Sequence, residues 1–163
     1  MSGVEEALAF SGEIPHSLVV GEDGGRRPEG FDLPNSPVEA VRVDVQGCSL
    51  VQRTSAGTQG VVAAIDADRL FPASLVCASA TATAAAVAIE ATGLGVPSYV
   101  ITGRFPDKPD AGLDDYLTAE FIEPVRLGRS PSLATVAAAV ASSDEAARTL
   151  AIGGEHVHTD DIS

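Results

Sequence analysis

The chain has 163 residues, of which 45% are apolar and 20% charged, a balance that suits a soluble globular domain with a full hydrophobic core. Its 23 acidic residues outweigh 10 basic ones, and the net charge of −13 argues against a general nucleic-acid binder and against docking on an anionic membrane surface. An anion bound by so acidic a chain must enter a local pocket. Arg26, Arg27, Arg53 and Arg104 are the cations set in Gly- or Pro-rich stretches where they can converge.

In chain order, Val4 to Phe10 has a short helical pattern, Gly12 and Pro15 punctuate it, and Ser17 to Val20 reads as a brief apolar strand. The strand delivers the loop of residues 21 to 37, which carries Glu22, Asp23, Arg26, Arg27, Glu29 and Asp32 among glycines and has few apolar residues. The loop closes on Asn35-Ser36-Pro37-Val38-Glu39, with Ser36 as N-cap, Pro37 as first helical residue and Glu39 as the reaching-back partner of a capping box. After the short helix Pro37 to Val41, a second strand, Cys48 to Gln52, runs into the small-residue turn Arg53 to Gly60, and Val61 to Ala67 has helical spacing.

Leu70 to Val76 reads as a third strand, and its turn at Cys77-Ala78-Ser79 opens an Ala/Thr helix from Ala80 to about Thr92, stopped by Gly93. Pro97 precedes a fourth strand, Ser98 to Thr102, and a Pro- and Asp-rich loop then leads to a helix over Leu113 to Glu123. Pro124, Gly128 and Ser130-Pro131 are expected to end it, with further helices over Ser132 to Ala141 and from Ser143 or Asp144 to Leu150. Alternating strands and helices predict an α/β fold: a single domain over residues 1 to 152 with a mostly parallel sheet flanked by helices, followed by a mobile acidic tail over 153 to 163. Ligands of such sheets sit in the crevice beyond the carboxyl ends of the strands, where the loops 21 to 37, 53 to 60, 77 to 79 and 103 to 114 emerge.

Cys48 and Cys77 are isolated and lack metal-ligand spacing, so they are expected as small hydrophobic residues in a reducing compartment. The start of the chain has no basic region followed by an apolar stretch, and the Ala-rich run from Ala78 is interrupted by Ser79, Thr81, Thr83 and Glu90. A cytoplasmic protein is expected. His16, His156 and His158 are assigned no catalytic role, since the last two fall in the charged tail and no Gly-x-Ser-x-Gly elbow is present.

Two features carry chemistry. Thr54-Ser55-Ala56-Gly57-Thr58 offers hydroxyls and a flexible backbone at a strand-to-helix turn, suited to cradling a phosphoryl or carboxylate group or, more simply, to capping. Glu22, Asp23, Glu29 and Asp32 offer hard oxygens for Mg²⁺, which commonly takes one or two carboxylates plus water and substrate oxygens, or they line a solvated loop with a turn at Asp23-Gly24. Asp114 and Asp115 read first as acids favoured in the first turn of a helix and second as carboxylates for the crevice.

In order and spacing the chain resembles the 2-phosphosulfolactate phosphatases of coenzyme M biosynthesis and their bacterial relatives. Gly21-Glu22, Gly30-Phe31-Asp32-Leu33 and Asn35-Ser36-Pro37 look like the family's Gly-Glu, Gly-Phe-Asp and Asn-Ser-Pro signature. Thr54 to Thr58 is similar to its Thr-Thr-Asn-Gly-Thr turn, Ser74 to Ser79 to its strand ending Asn-Ala-Ser, and Leu113-Asp114-Asp115 to its Glu-Asp. Ala56 replaces the amide of the turn, Cys77 stands where Asn is usual, and the family's first strand, with its Asp-Val-Leu-Arg-Ala-Thr-Thr segment, has no counterpart before Val4.

The resemblance implies Mg²⁺-dependent hydrolysis of a small acidic phosphate monoester such as 2-phosphosulfolactate. Glu22 and Asp32 are then the catalytic, metal-holding carboxylates, and Arg26, Arg27, Asn35, Ser36, Thr54, Gly57 and Thr58 the substrate-binding set. The partner expected is the small anionic ester, with no nucleic acid and no membrane. The alternative is a catalytically inactive anion-binding or assembly module of the same fold, whose missing strand a second copy or another chain supplies.

Overall fold

The computed structural model describes residues 1–93, 95–104 and 111–153. The chain divides into two compact units, one built from residues 1–63 with the segment from Ala146 onward, the other from Ala64–Glu145.

The first unit holds the sheet. Helix α1 (Val4–Glu13) leads into β1 (Ser17–Gly21), followed by the two-residue β2 (Leu33–Pro34), the single turn of α2 (Pro37–Ala40), β3 (Ser49–Arg53) and α3 (Gly57–Ala63). The strand order is β2-β1-β3 and both pairings are parallel, as the sequence predicts for an α/β domain. Because β1 is central, its residues alternate in the direction of their backbone groups. His16 and Glu22 bond to β3, through Ser49 N on His16 O and Glu22 N on Arg53 O, whereas Val19 O accepts Asp32 N at the β2 side.

Val19 and Val51 are in register on one face of the sheet, and both are buried with Ala7 and Phe31. Val4, Leu8 and Ile14 pack against this cluster, so the apolar stripe of α1 covers the face. All three strands run the same way, which brings their carboxyl ends, at Gly21, Pro34 and Arg53, to one edge.

The second unit is helical. Helix α4 (Ala78–Thr92) ends at Gly93 in the left-handed conformation (φ 67°), as predicted. Ala78 and Ala82 of α4 are buried against Phe121 and Ile122 of α5 (Leu113–Arg126), with Val136 of α6 (Leu133–Ala141) packed beside them. Small side chains let α4 and α5 approach closely. The last helix, α7, covers Asp144–Leu150, and its residues from Ala146 on belong to the first unit.

Several elements differ from expectation. Leu70 to Val76 is not a strand: Pro72 lacks the N–H a ladder needs, Ser74 N donates to Cys77 Sγ, and Val76 is fully exposed. Ser98 to Thr102 has no ladder partner among the described residues; its polar side chains bond to α5 instead, Tyr99 to Glu123 and Thr102 to Asp115.

Helix α3 starts at Gly57 rather than Val61 because the turn before it is already capped, and Ala64 to Ala67 is a single turn. Helix α5 runs past Pro124, whose missing N–H falls near the helix end. It stops at Gly128 (φ 76°), where Gly128 N bonds to Val125 O and Arg129 N to Pro124 O in a Schellman arrangement. The tail predicted to be mobile lies, from Gly154 on, outside the described residues, and with it His156 and His158.

Candidate functional site

The predicted site residues of the first unit gather on the loops leaving the carboxyl edge of the sheet, with one exception. Gly21, the last residue of β1, has φ 148° and lies so close to β3 that a Cβ there would stand 1.7 Å from the carbonyl oxygen of Arg53. Only glycine lets Glu22 follow directly and donate its N–H to that same carbonyl at 3.0 Å.

Beyond Glu22 the chain reverses in a tight turn. Asp23 and Arg26 exchange backbone hydrogen bonds of 2.8 and 3.2 Å, and Gly24 and Gly25 sit at its centre with φ 58° and 79°. The turn is fastened to the end of β3 by Arg53, whose Nη1 donates to the Glu22 carbonyl and, at 3.0 Å, to Asp23 Oδ1. Arg26 and Arg27 extend from the same turn into solvent, and Arg27 Nη1 reaches the Asp32 carbonyl at 3.4 Å.

Glu22 is half-buried, and its carboxylate is surrounded by donors. Oε2 accepts Gly25 N at 2.7 Å and Ser55 Oγ at 2.8 Å, while Oε1 accepts Ser55 N. Ser55 Oγ in turn accepts Gly24 N at 2.9 Å. Ser55, part of the hydroxyl-bearing turn but not of the substrate-binding set expected from the sequence, is the residue that joins the two loops; its signal is a hydroxyl placed one residue into the turn that follows a strand.

The neighbouring threonines face each other. Thr54 N donates to Thr58 Oγ1 at 2.8 Å and Thr58 N to Thr54 Oγ1 at 3.0 Å, a reciprocal cap at the start of α3. Thr58 Oγ1 also donates to the carbonyls of Thr54 and Met1, and Thr54 is only 8% exposed. Gly57 is exposed, with Thr54 Oγ1 3.4 Å from where its Cβ would be.

Across the sheet edge, Asn35 Oδ1 accepts Gln52 Nε2 at 3.3 Å, joining the end of β2 to β3. Ser36, 3% exposed, caps α2 by accepting Glu39 N at 3.2 Å, as predicted, and Arg42 donates to the Glu39 carboxylate.

Asp32 is the exception. It lies at the opposite, amino end of β2, where its N–H donates to Val19 O at 2.9 Å and its Oδ2 accepts Val19 N at 2.7 Å. Its carboxylate thus stands in for a backbone carbonyl in the β1–β2 ladder. Glu22 is three residues farther along, roughly 10 Å in the strand direction.

Among the described residues no three His, Cys, Asp or Glu side chains converge as a metal site. A cation here would need to be of the kind held by one or two carboxylates, with water and phosphate oxygens completing the shell, and Mg²⁺ fits that requirement. Asp32 is exposed, and Val19 N engages Oδ2 alone of its two oxygens. A carboxylate accepts about four hydrogen bonds; that of Glu22 already accepts three.

The second unit holds Asp114, Asp115 and Glu145. Glu145 accepts Gly112 N at 2.7 Å and Leu113 N at 2.9 Å, capping α5 from outside. Asp115 Oδ2 accepts Thr102 Oγ1 at 2.8 Å and Gly103 N at 3.0 Å. Loss of water around Asp114, then the charges of Asp115 and Glu145, hold its carboxyl above the ordinary range although the residue as a whole stays exposed. Asp114 and Asp115 are first-turn acids, the simpler of their two readings. Arg104 lies over the Tyr116 ring, 5.8 Å from its centre.

The profile of the 2-phosphosulpholactate phosphatase family matches residues 1–152. The chain belongs to this family. A Thermus thermophilus protein described as a probable 2-phosphosulfolactate phosphatase is 38% identical over 118 residues, 71% of this chain and 46% of that protein. A Deinococcus radiodurans protein of the same description is 37% identical over 119 residues, 72% of this chain and 47% of its own length. One from Prochlorococcus marinus is 45% identical over 58 residues, 36% of this chain and 24% of its own. The chain thus spans less than half the length of these phosphatase-family relatives. No helix among the described residues is long and apolar enough to cross a membrane.

Proposed function

We propose that this chain acts as a phosphoric monoester hydrolase of the 2-phosphosulfolactate phosphatase type, taking a small acidic phosphate ester at the carboxyl edge of the β2-β1-β3 sheet. Family membership over residues 1–152 supports the reaction class. The observation that carries the location is the meeting of the Glu22–Arg27 turn with the Arg53–Thr58 turn through Ser55 and Arg53, which sets amide and hydroxyl donors beside arginine side chains.

In this reading Arg26 and Arg27 attract the ester, Ser55 and the amides of Gly24 and Gly25 hold its phosphoryl oxygens, and Asn35 and Gly57 line the opening. Ser36, Thr54 and Thr58 serve by fixing the turns, since their hydroxyls are hydrogen-bonded within the protein. Asp32, and Glu22 when its carboxylate is released, are the side chains available to hold Mg²⁺. Held by Glu22, the ion would neutralise charge on the phosphoryl group; for Asp32 to share it, that carboxylate must leave Val19 N and cross roughly 10 Å toward the carboxyl edge.

The test is phosphate release from a panel of monoesters, including 2-phosphosulfolactate and phospholactate, with Mg²⁺ and with EDTA. Turnover that disappears in EDTA is the expected result; absence of turnover on every ester overturns the enzyme reading. The engagement of both carboxylates with backbone amides favours one second reading, an anion-binding module without turnover. It predicts that phosphate stabilises the fold while the panel gives no product.

A further inference from the structure

We infer that the Glu22 carboxylate is an internal occupant of the phosphate cradle, and that an anionic ligand binds by displacing it. The inference rests on the proposed phosphate site and concerns how that site is held before the ligand arrives.

The carboxylate is bound as an external anion would be. Three donors from two loops converge on it, namely Gly25 N, Ser55 N and Ser55 Oγ, and Gly24 N steadies the hydroxyl from behind. The left-handed backbone at Gly24 and Gly25 turns their successive N–H groups toward Ser55 and Glu22, the geometry by which a turn makes a concavity for an anion.

Both loops are open to solvent. Ser55 and Gly24 are exposed and Glu22 is half-buried, so a ligand can reach the donors without unfolding the sheet. Arg53, which ties the Glu22 carbonyl and the Asp23 carboxylate, holds the backbone of the cradle in place whether or not the Glu22 side chain is in it.

Two anions cannot share three donors. A phosphate dianion offers more charge and more acceptor oxygens than a carboxylate, so it wins the cradle at a reduced apparent affinity set by the competition. The displaced carboxylate swings toward solvent, which makes ligand binding and the exposure of Glu22 one event.

The experiment is calorimetric titration of inorganic phosphate, in EDTA, into the full chain and into Glu22→Gln, Glu22→Ala and the double variant Glu22→Gln/Ser55→Ala. The two single variants are expected to bind phosphate about tenfold tighter than the wild type, and the double variant to lose most of that gain. Nuclear magnetic resonance on the wild type needs no substitution: phosphate is expected to shift the amides of Gly24, Gly25 and Ser55 first. If the Glu22 variants bind phosphate no tighter than the wild type, or these three amides stay unmoved while others respond, the displacement idea is overturned and the phosphate site stands or moves accordingly. If no form of the chain binds phosphate, both readings fall together.

Discussion

Ser55 and Glu22, 33 residues apart in the chain, share one hydroxyl: Ser55 Oγ donates to Glu22 Oε2 at 2.8 Å while accepting Gly24 N at 2.9 Å. The loop after β1 and the turn after β3 are thereby closed on each other. Ser55→Ala removes two hydrogen bonds, one of them to a charged group, and is expected to lower unfolding stability by about 1–2 kcal/mol. Ser55→Thr keeps the hydroxyl and should recover most of it. Urea denaturation of the three proteins checks this, and equal midpoints would show that the latch carries no energy.

Gly21→Ala is expected to be the most damaging single change in the first unit. The added Cβ would stand 1.7 Å from the Arg53 carbonyl oxygen, and neither backbone can give way without breaking the bond from Glu22 N. Strain of this kind, with the unfavourable φ, costs about 3 kcal/mol or more. Loss of the cooperative thermal transition, or a large drop in its midpoint, is the outcome expected; a midpoint within a degree or two of the wild type would show that the close approach of β1 to β3 at Gly21 does not exclude a side chain.

Asp32 has two separable roles to test. As a tie in the β1–β2 ladder it needs only an acceptor for Val19 N, so Asp32→Asn keeps the fold, whereas Asp32→Ala leaves that amide without its partner and costs about 1–3 kcal/mol. As a carboxylate for Mg²⁺ it needs its charge, and Asp32→Asn should then abolish metal-dependent phosphate release. Stability and turnover measured on both variants separate the roles; full turnover in Asp32→Asn removes Asp32 from the chemistry and leaves it as a strand tie.

The parts of this molecule that are legible in its sequence are those decided locally. The strands at Ser17 and Ser49, the cap at Ser36 and the stop at Gly93 each follow from a few adjacent residues, and the structure places them within a residue or two of expectation. The two-residue β2 is too short to show any periodicity. Leu70 to Val76 and Ser98 to Thr102 have apolar strand composition, but pairing is a property of the partner as much as of the segment, and Pro72 and the side-chain bonds of Tyr99 and Thr102 decide against it. The site shows the same division. That the Glu22 loop and the Thr54–Thr58 turn both leave the carboxyl edge of the sheet is readable, whereas the use of Thr54 and Thr58 to cap each other, and of Asp32 to complete a ladder, depends on geometry between residues or loops that composition does not reveal.

Cys77 is expected to be the more reactive of the two thiols. It is exposed where Cys48 is half-buried, and the Ser74 hydroxyl beside its Sγ, 3.4 Å away, lowers its pKa with help from Ser74 N at 3.2 Å and the Thr81 hydroxyl. Iodoacetamide near pH 8 should label Cys77 first, by peptide mass spectrometry, and Ser74→Ala should slow the labelling severalfold while leaving Cys48 unchanged. Equal rates at the two cysteines would show that the Ser74 contact does not favour the thiolate.

The second unit should show an acid-dependent loss of stability that traces to one residue. The Arg126 guanidinium grips the Glu123 carboxylate at 2.6 and 2.7 Å, and with the Tyr99 hydroxyl at 2.7 Å it holds the carboxyl at about 2, below its usual 4.5. A carboxylate depressed in the folded state stabilises the fold above its unfolded pKa, and that contribution is lost as pH falls from about 4.5 toward 2. Asp114, whose carboxyl is held above its ordinary range, acts with the opposite sign: its contribution is present below the unfolded value of 3.8 and is lost as pH rises through the folded one. Thermal melts between pH 6 and pH 2 should therefore fall more steeply for the wild type than for Glu123→Gln, the two curves converging at the acid end. Tyr99 gives an independent reading of the same contact, because loss of water and the Glu123 carboxylate push its phenol up to about 12. Tyrosinate absorbance should develop at lower pH in Glu123→Gln than in the wild type. Parallel melting curves and coincident alkaline titrations would together show that the Tyr99–Glu123–Arg126 contact does not persist in solution.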